Sequence, residues 1–291
     1  MIKGHLFMYT ESALHAGTGA SVSAVDLPIQ RETNTQYPMV QGSGVKGALR
    51  SHYVGDLADE LFGPEPSTDQ NNSPKHAGAI SVGDAQIVLF PVRSLMGVFA
   101  YVTCAHALAR LAREIDDFPA LPAEPATGNA LVGSNPTVKV NQQHVVLDEF
   151  TFKVEHSSVV TKIAEWLVGN ALPQGDEYRY WRDTLAGRLV ILPDTDFRDF
   201  ALNSTQISTH VRLDSAKKTV KDGALWTTES VPSDALFASS VIVRKSRKGN
   251  STLNSVSAVS GKLTAGFETG RIQLGGDETT GAGVVALRWL L

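Results

Sequence analysis

The sequence has a single cysteine, Cys104, among 291 residues, and no long apolar run. One thiol cannot form a disulfide within the chain, and disulfides are rare in reducing compartments, so we expect a cytoplasmic protein. The longest uncharged apolar stretch, 95–109, is shorter than the ~18 residues that a membrane-spanning helix needs. The N-terminal residues also lack the apolar run of a signal peptide. These absences predict a protein with no membrane partner.

An excess of charge of one sign is also missing, since 26 Lys+Arg and 30 Asp+Glu give a net charge of −4. This balance gives no general sign of nucleic-acid binding, although net charge averages over faces. Residues 212–248 differ, because eight basic and four acidic side chains give this segment a charge of +4. With 42% apolar residues the chain is an ordinary globular protein.

Hydrophobic patterning predicts strands and helices in mixed order without a strict βαβ period, which indicates an α+β fold with an antiparallel sheet. We expect one domain over 1–291, a long hairpin at about 210–245, and irregular insertions at about 64–78 and 116–136. The predicted strands are 2–9, 79–90, 97–103, strands within 137–154, 187–192 and 282–291. The predicted helices are 43–62, 104–115, 157–169 and 252–267.

Two glycine-rich segments are candidates for binding phosphate. In GSGVKGALR, glycines allow close backbone approach, Ser43 is a candidate helix cap, and Lys46 and Arg50 project from one helical face. In LGGDETTGAG, four glycines accompany Thr279 and Thr280 ahead of an apolar strand. An ordinary capped helix and a plain glycine-rich turn remain the alternatives.

The long loop between the first strand and the first helix holds the candidate acid–base groups. His15 and Asp26 lie in a stretch with little other charge, and imidazole and carboxylate are the usual proton-transfer groups. A turn-forming aspartate is the alternative.

Seven stretches occur in an order that is specific to one family. They are HAGTG, VDLPIQRE, GSGVKGALR, LFGPEP, SVGDAQIVLFPVRSLMGVFAYVTC, GALWTTESVPSDALF and IQLGGDETTGAG. Together they resemble the RAMP superfamily and are most similar to the repeated backbone subunit of type III-B (Cmr) CRISPR effector complexes. The resemblance covers Met1 to Leu291, with little of it in 116–136 and 170–186. Gly44-Val45 departs from the expected Ser-Leu.

The resemblance implies an RRM/ferredoxin-like palm with a thumb hairpin and inserted loops. It also implies the partners: CRISPR guide RNA, complementary target RNA, head-to-tail copies of the same chain and other Cmr subunits. Between thumbs the target pairs with the guide, so base pairing carries the sequence specificity. Leu225 and Trp226 would form the tip of the thumb that splays a nucleotide.

In that family the subunit also cuts target RNA with a divalent cation, Mg or Mn, and an aspartate that corresponds to Asp26. The resemblance implies attack by the 2′-hydroxyl on the adjacent phosphate. Asp26 would hold the cation or orient the hydroxyl, and His15 and Glu229 are weaker catalytic candidates. The implied RNA ligands are Gly42, Ser43, Gly44, Lys46, Arg50, Arg93, Ser94, Gly275, Gly276, Thr279, Thr280, Gly281 and Gly283.

Two alternatives stay open. The chain would be a guide-RNA scaffold without catalysis if Asp26 only forms a turn. It would be an endonuclease that processes precursor guide RNA if a histidine lay near the glycine-rich loop, but His15 is far from that loop in sequence.

Overall fold

A computed structural model describes residues 1–22, 24–65, 76–214, 217 and 220–291, without the side chains of 220–223. Its helices are α1 (Gly42–His52), α2 (Ala58–Phe62), α3 (Ala105–Ala112), α4 (Ser158–Asn170), α5 (Arg179–Arg188), α6 (Asp194–Asn203) and α7 (Val256–Ala265). Its strands are β1 (Ile2–Thr10), β2 (Met39–Val40), β3 (Ile80–Arg93), β4 (Phe99–Cys104), β5 (Asn129–Val132), β6 (His144–Leu147), β7 (Phe150–His156), β8 (Leu189–Leu192), β9 (Gln206–Leu213), β10 (Val220–Ser230), β11 (Leu236–Val243), β12 (Arg271–Gln273) and β13 (Val284–Leu290).

One large sheet runs in the order β12-β13-β1-β11-β3-β4-β8-β5-β7-β6, with β2 paired to β3. The pairs β4–β8 and β5–β7 are parallel, and the other strand pairs given for this sheet are antiparallel. The α+β class with a mostly antiparallel sheet is therefore confirmed.

Strand β1 lies inside this sheet and is buried on both faces. Leu6 and Met8 contribute to one apolar core, whereas Phe7 and Tyr9 contribute to a second core on the opposite face. This alternation follows from the two-residue period of strand side chains. Because both faces of β1 are packed, its last residue and the loop that follows start from a fixed position in the core.

The single helix predicted over 43–62 is in fact two helices, α1 and α2, separated by the non-helical residues 53–57. Helix α1 ends at His52, and Tyr53 is extended with its ring packed edge-on against Phe62 and Phe267. Gly55 has a φ of +142°, a conformation that favours glycine and does not continue a helix. The apolar spacing of Tyr53 and Leu57 reflects separate tertiary contacts rather than one helix.

The predicted insertion over 116–136 is not irregular throughout. Residues 129–132 form β5, which pairs with β8 on one side and β7 on the other. Its proline-rich flanks concealed a strand of only four residues. The other predicted insertion, 64–78, falls largely on 66–75, which lie outside the described residues.

The hairpin is β9–β10, so it begins earlier and ends earlier than the predicted 210–245. The two strands form a sheet of their own, with Thr227 opposite Thr209. Strand β11, which the prediction included, pairs with β1 and β3 in the main sheet. An edge hairpin and a central strand share the same extended pattern, so periodicity did not separate them.

Candidate active site at the root of the hairpin

The root of the hairpin, residues 227–229 near the end of β10, holds the loop that follows β1. Backbone groups of alternate residues in a strand point to the same edge, and Thr227 and Glu229 point theirs away from β9. The N–H of Leu27 donates to the carbonyl of Thr227 (3.0 Å), and the N–H of Glu229 donates to the carbonyl of Leu27 (3.0 Å). Asp26 bonds to Thr227, and His15 bonds to Glu229. Thr227, which holds Asp26, and Glu229, which holds His15, are two residues or about 6.8 Å apart along β10.

Asp26 is exposed, and one of its carboxylate oxygens is fixed. Oδ2 accepts hydrogen bonds from the backbone N–H (2.8 Å) and the hydroxyl (2.9 Å) of Thr227. These bonds, the backbone one first, hold the pKa of the Asp26 carboxyl below its ordinary value. Oδ1 accepts no hydrogen bond from the residues that the structure describes. The site therefore presents an exposed, ionised carboxylate that Thr227 holds through one oxygen.

His15 has a defined tautomer. Its Nδ1 lies 2.6 Å from the carbonyl oxygen of Glu229, and a carbonyl oxygen only accepts, so Nδ1 carries the hydrogen. Nε2 then carries the lone pair of the neutral ring. A Cβ on Gly17 would lie 2.6 Å from this Nε2, so the HAGTG glycine leaves the space that the imidazole needs.

Glu229 is an internal anchor rather than an accessible acid. Its side chain is buried, and Oε1 accepts from Arg31 (2.5 Å) and from the hydroxyl of Thr205 (2.9 Å). Oε2 accepts from the backbone N–H of Ile29 (3.0 Å). With both oxygens occupied by protein donors, the expectation that Glu229 acts on RNA is not supported by this geometry.

The glycine-rich loop lies against His15, despite their separation in sequence. The N–H of Gly276 donates to the His15 carbonyl (2.8 Å), and a Cβ on Gly275 would lie 2.4 Å from that oxygen. Gly275 also has a φ of +83°. Both facts require glycine there. Thr280 Oγ1 donates to the Asp277 carbonyl (2.8 Å) within the loop.

Thr279, Gly281 and Gly283 complete this loop. Thr279 and Gly281 are exposed, and Gly283 is buried with its N–H bonded to the carbonyl of Ala13 (2.8 Å). Two of the three are therefore accessible to a ligand, and the third ties the loop to the segment before His15.

Of the two cations on α1, only Lys46 is available. Lys46 is half-buried, burial and then the nearby Arg50 lower its pKa, and no hydrogen bond or ion pair joins it to the described residues. Arg50 instead donates to Asp59 (2.6 Å) and to the carbonyl of Gly63, which fixes α2. Arg50 as a free RNA ligand is therefore not supported by the geometry.

The start of α1 differs from the expected phosphate cradle. Ser43 is not the cap, because Gln41 precedes the first helical residue. The N–H of Gly42 donates to the carboxylate of Asp84 (2.7 Å), which occupies the place expected for a phosphate. Ser43 and Gly44 are exposed, and RNA contact by them stays a prediction.

Arg93 and Ser94 have different environments beside the hairpin. Arg93 is 75% exposed and donates to Asp148 (3.1 Å), whose other oxygen accepts from Ser204 two residues before β9. Ser94 is buried, and its hydroxyl donates to the Val146 carbonyl (3.4 Å). Only Arg93 is accessible to a ligand.

Leu225 and Trp226 lie within β10 and not at the tip of the hairpin. Leu225 is 62% exposed, and Trp226 stacks on His210 of β9 with centroids 5.5 Å apart. Strand β9 ends at Leu213 and β10 begins at Val220, and most residues between them lie outside the described part of the chain.

The basic segment 244–248 follows the last residue of β11, Val243, which pairs with Ile2 at the opposite end of β1 from the hairpin. The basic residues on the hairpin and those after β11 therefore belong to different parts of the fold.

With this geometry in hand, comparison with known proteins identifies the family. The chain matches the model of the RAMP superfamily over residues 7–286. The protein belongs to the RAMP superfamily.

Two relatives and one solved structure are similar over nearly the whole chain. A protein of Pyrococcus furiosus named CRISPR system Cmr endoribonuclease Cmr4 is 34% identical over 298 residues, 96% of this chain and 92% of that one. The CRISPR system CMR subunit Cmr4 of Saccharolobus solfataricus is 30% identical over 98% of this chain and 95% of its own. The crystal structure of oligomeric Cmr4 from Pyrococcus furiosus superposes with a TM-score of 0.74 at 30% identity, covering 100% of this chain and 98% of that one.

Sequence reasoning missed the residues that hold this RAMP site together. Thr227 and Arg31 were not singled out, although both stand inside recognised motifs, GALWTTES and VDLPIQRE. Only their place inside these motifs could have identified them. Their hydrogen bonds join residues about 200 positions apart, so no short sequence spacing predicts these contacts.

Among the described residues, no group of three or more His, Cys, Asp or Glu is arranged to hold a metal ion. In the same part of the chain, no helix is long and apolar enough to cross a membrane.

Proposed function

We propose that this protein is the repeated backbone subunit of a type III-B CRISPR ribonucleoprotein and that it cuts target RNA at the hairpin root. One observation carries the proposal. An exposed carboxylate, Asp26, and a histidine, His15, are bonded to the same strand two residues apart, in a chain 34% identical to a protein named a Cmr endoribonuclease.

The reaction is an internal transfer at phosphorus. The 2′-oxygen of one nucleotide attacks the adjacent phosphorus, and the bond from phosphorus to the 5′-oxygen of the next nucleotide breaks. The 2′-hydroxyl loses its proton and the leaving 5′-oxygen gains one, which gives a cyclic phosphate and a 5′-hydroxyl. Splaying a nucleotide out of A-form geometry lets these atoms align, and such positioning supplies ~7–11 kcal/mol in favourable cases.

Asp26 orients rather than removes the proton. Because Thr227 lowers its pKa, the carboxyl is ionised at neutral pH and is a weak base. Oδ1 is placed to accept a hydrogen bond from the 2′-hydroxyl or to bind a cation. His15 is the candidate for proton delivery to the leaving oxygen: the Glu229 carbonyl holds Nδ1–H, so the proton is given by Nε2 of the doubly protonated ring, which returns to the neutral tautomer, while the 2′-hydroxyl proton passes to solvent water.

The donors at this site fit a weakly held divalent cation such as Mg²⁺ or Mn²⁺. Mg²⁺ usually keeps several waters and binds one or two carboxylates together with substrate phosphates. Asp26 offers one such carboxylate, and RNA would supply the phosphate oxygens. When bound, the cation supplies positive charge beside the phosphate.

Guide RNA is bound along the accessible groups around α1 and the hairpin. Lys46, the 275–283 loop and Arg93 contact phosphates, which fixes register without reading sequence. The main sheet acts as an RRM-like palm, and the β9–β10 thumb splays a nucleotide with Leu225 and Trp226. Copies of the chain stack head to tail beside other Cmr subunits, a heterologous contact that propagates along the guide.

Processing of precursor guide RNA is the second candidate, and one contact favours it. The distance in sequence between His15 and the glycine-rich loop counted against it, but the structure brings them together. The two activities are distinguished by offering the complex both precursor guide RNA and RNA complementary to the guide. Cutting of the precursor indicates processing, and cutting of the complementary RNA indicates target cleavage.

The test of the main proposal is Asp26→Asn in the reconstituted complex, with Asp116→Asn, an exposed position, as control. We expect loss of target cleavage with Mg²⁺ present and little change in target affinity, whereas the control cuts normally. Wild-type cutting by the Asp26 variant would refute the catalytic assignment and favour a scaffold without catalysis.

A further inference from the structure

Thr227 makes a reciprocal pair of hydrogen bonds with Asp26. Its hydroxyl accepts from the Asp26 N–H (3.0 Å) and donates to Asp26 Oδ2 (2.9 Å). A hydroxyl has one hydrogen to donate, so this geometry assigns it to the carboxylate. Together with the Thr227 N–H, the hydroxyl gives Oδ2 two donors from one residue.

Two donors on one oxygen fix the rotation of a carboxylate. With a single donor, an exposed Asp side chain turns about its terminal bond, whose torsional preference is broad. With two, Oδ2 is held against β10, and this also fixes the direction of Oδ1. The Thr227 bonds of the hairpin, more than the backbone of Asp26 itself, therefore hold the carboxylate.

Trp226, the residue before Thr227 in β10, is available to pack against a nucleotide. Trp226 is exposed and stacked on His210, whereas Thr227 faces the opposite side of the hairpin, as successive strand residues do. A nucleotide that packs on Trp226 thus contacts the same short piece of strand that holds the catalytic carboxylate.

We propose that Thr227 is a positioning residue that orients Asp26 for cleavage, so that the hairpin both splays the target and directs the carboxylate. This inference rests on the proposed function. It predicts a defect in the rate of cutting and none in the binding of target RNA, because Thr227 acts through Asp26.

The test compares Thr227→Val, Thr227→Ser and Asp26→Asn with wild type in reconstituted complexes. Valine keeps the β-branched shape but removes both hydroxyl bonds, and serine keeps them. Thr151→Val makes the same change at an exposed position of β7 as a matched control. Single-turnover cleavage with Mg²⁺ and target affinity are measured for each complex.

We expect cleavage by Thr227→Val to be at least about tenfold slower, since a small misplacement of a reacting group is costly. Target affinity should be unchanged, serine should restore most of the rate, and Thr151→Val should match wild type. The positioning role is refuted, and the proposed function is kept, in two cases. In the first, Asp26→Asn is inactive but Thr227→Val cuts normally; in the second, Asp26→Asn is inactive and Thr227→Ser is as slow as Thr227→Val. Normal cutting by Asp26→Asn, or none by wild type, refutes the proposed function and this inference with it.

Discussion

Glu229→Ala should destabilise the protein rather than remove a catalytic acid. The carboxylate is buried with Arg31 at 2.5 Å, and the two side chains are only 8% and 14% exposed. It also accepts from the hydroxyl of Thr205 and the N–H of Ile29. Alanine removes all three acceptor contacts and leaves a buried guanidinium without its charge partner.

The size of the effect follows from burial. Removing one partner of a buried ion pair costs about 3–5 kcal/mol, because the remaining charge stays desolvated. Arg31 keeps hydrogen bonds to the carbonyls of Gln36 and Ala201 (2.9 Å each), which favours the lower end. At roughly 2–4 °C per kcal/mol, a loss of about 3 kcal/mol should lower Tm by about 6–12 °C.

Thermal and urea unfolding of the purified chain measure this directly. Glu268→Ala, an exposed glutamate, serves as the control and should leave Tm unchanged. Arg31→Met and the double variant complete a cycle, in which the coupling between the two sites should be ~1–3 kcal/mol. An unchanged Tm in Glu229→Ala together with lost cleavage would refute the structural reading and restore a catalytic one.

Three further changes test neighbouring parts of the site. Lys46→Ala should weaken guide-RNA binding and reduce its salt dependence by about one released counterion without lowering Tm, whereas Arg50→Ala should lower Tm; equal salt slopes for Lys46→Ala and wild type would contradict phosphate contact. Gly17→Ala should slow cleavage more than it weakens binding, because its Cβ would displace the His15 ring from a position 2.6 Å away; normal cutting would argue against a role for the imidazole. Trp226→Ala should reduce target cleavage and disturb the spacing of the products by removing about 1–3 kcal/mol of base stacking, and an unchanged product ladder on a sequencing gel would argue against the splaying role.

Much of the fold was predictable from local patterns. Strands β1, β3, β4 and β13 and helix α4 were predicted within a few residues, because each has a clear apolar period or lies between strong breakers. The order of motifs also identified the family, since it reflects the whole chain rather than one spacing. These features depend on neighbours in sequence.

The errors arose where distant contacts override local preference. Tyr53 extends an apolar helical stripe but packs on Phe62 and Phe267, so α1 ends before it. Strand β11 has the pattern of a hairpin strand, yet it pairs inside the main sheet with β1 and β3. Residue type and period are the same in both arrangements, and only the pairing partners distinguish them.

The candidate site shows the same division. The sequence by itself determined which groups exist: an aspartate in VDLPIQRE, a histidine in HAGTG, and glycines where a Cβ has no room. Tertiary structure decided which of them are accessible, because β10 anchors Asp26 and His15 along one edge, whereas the side chain of Glu229 in the same strand is buried. Accessibility and orientation depend on hydrogen bonds across about 200 residues, and no local pattern encodes contacts of that span.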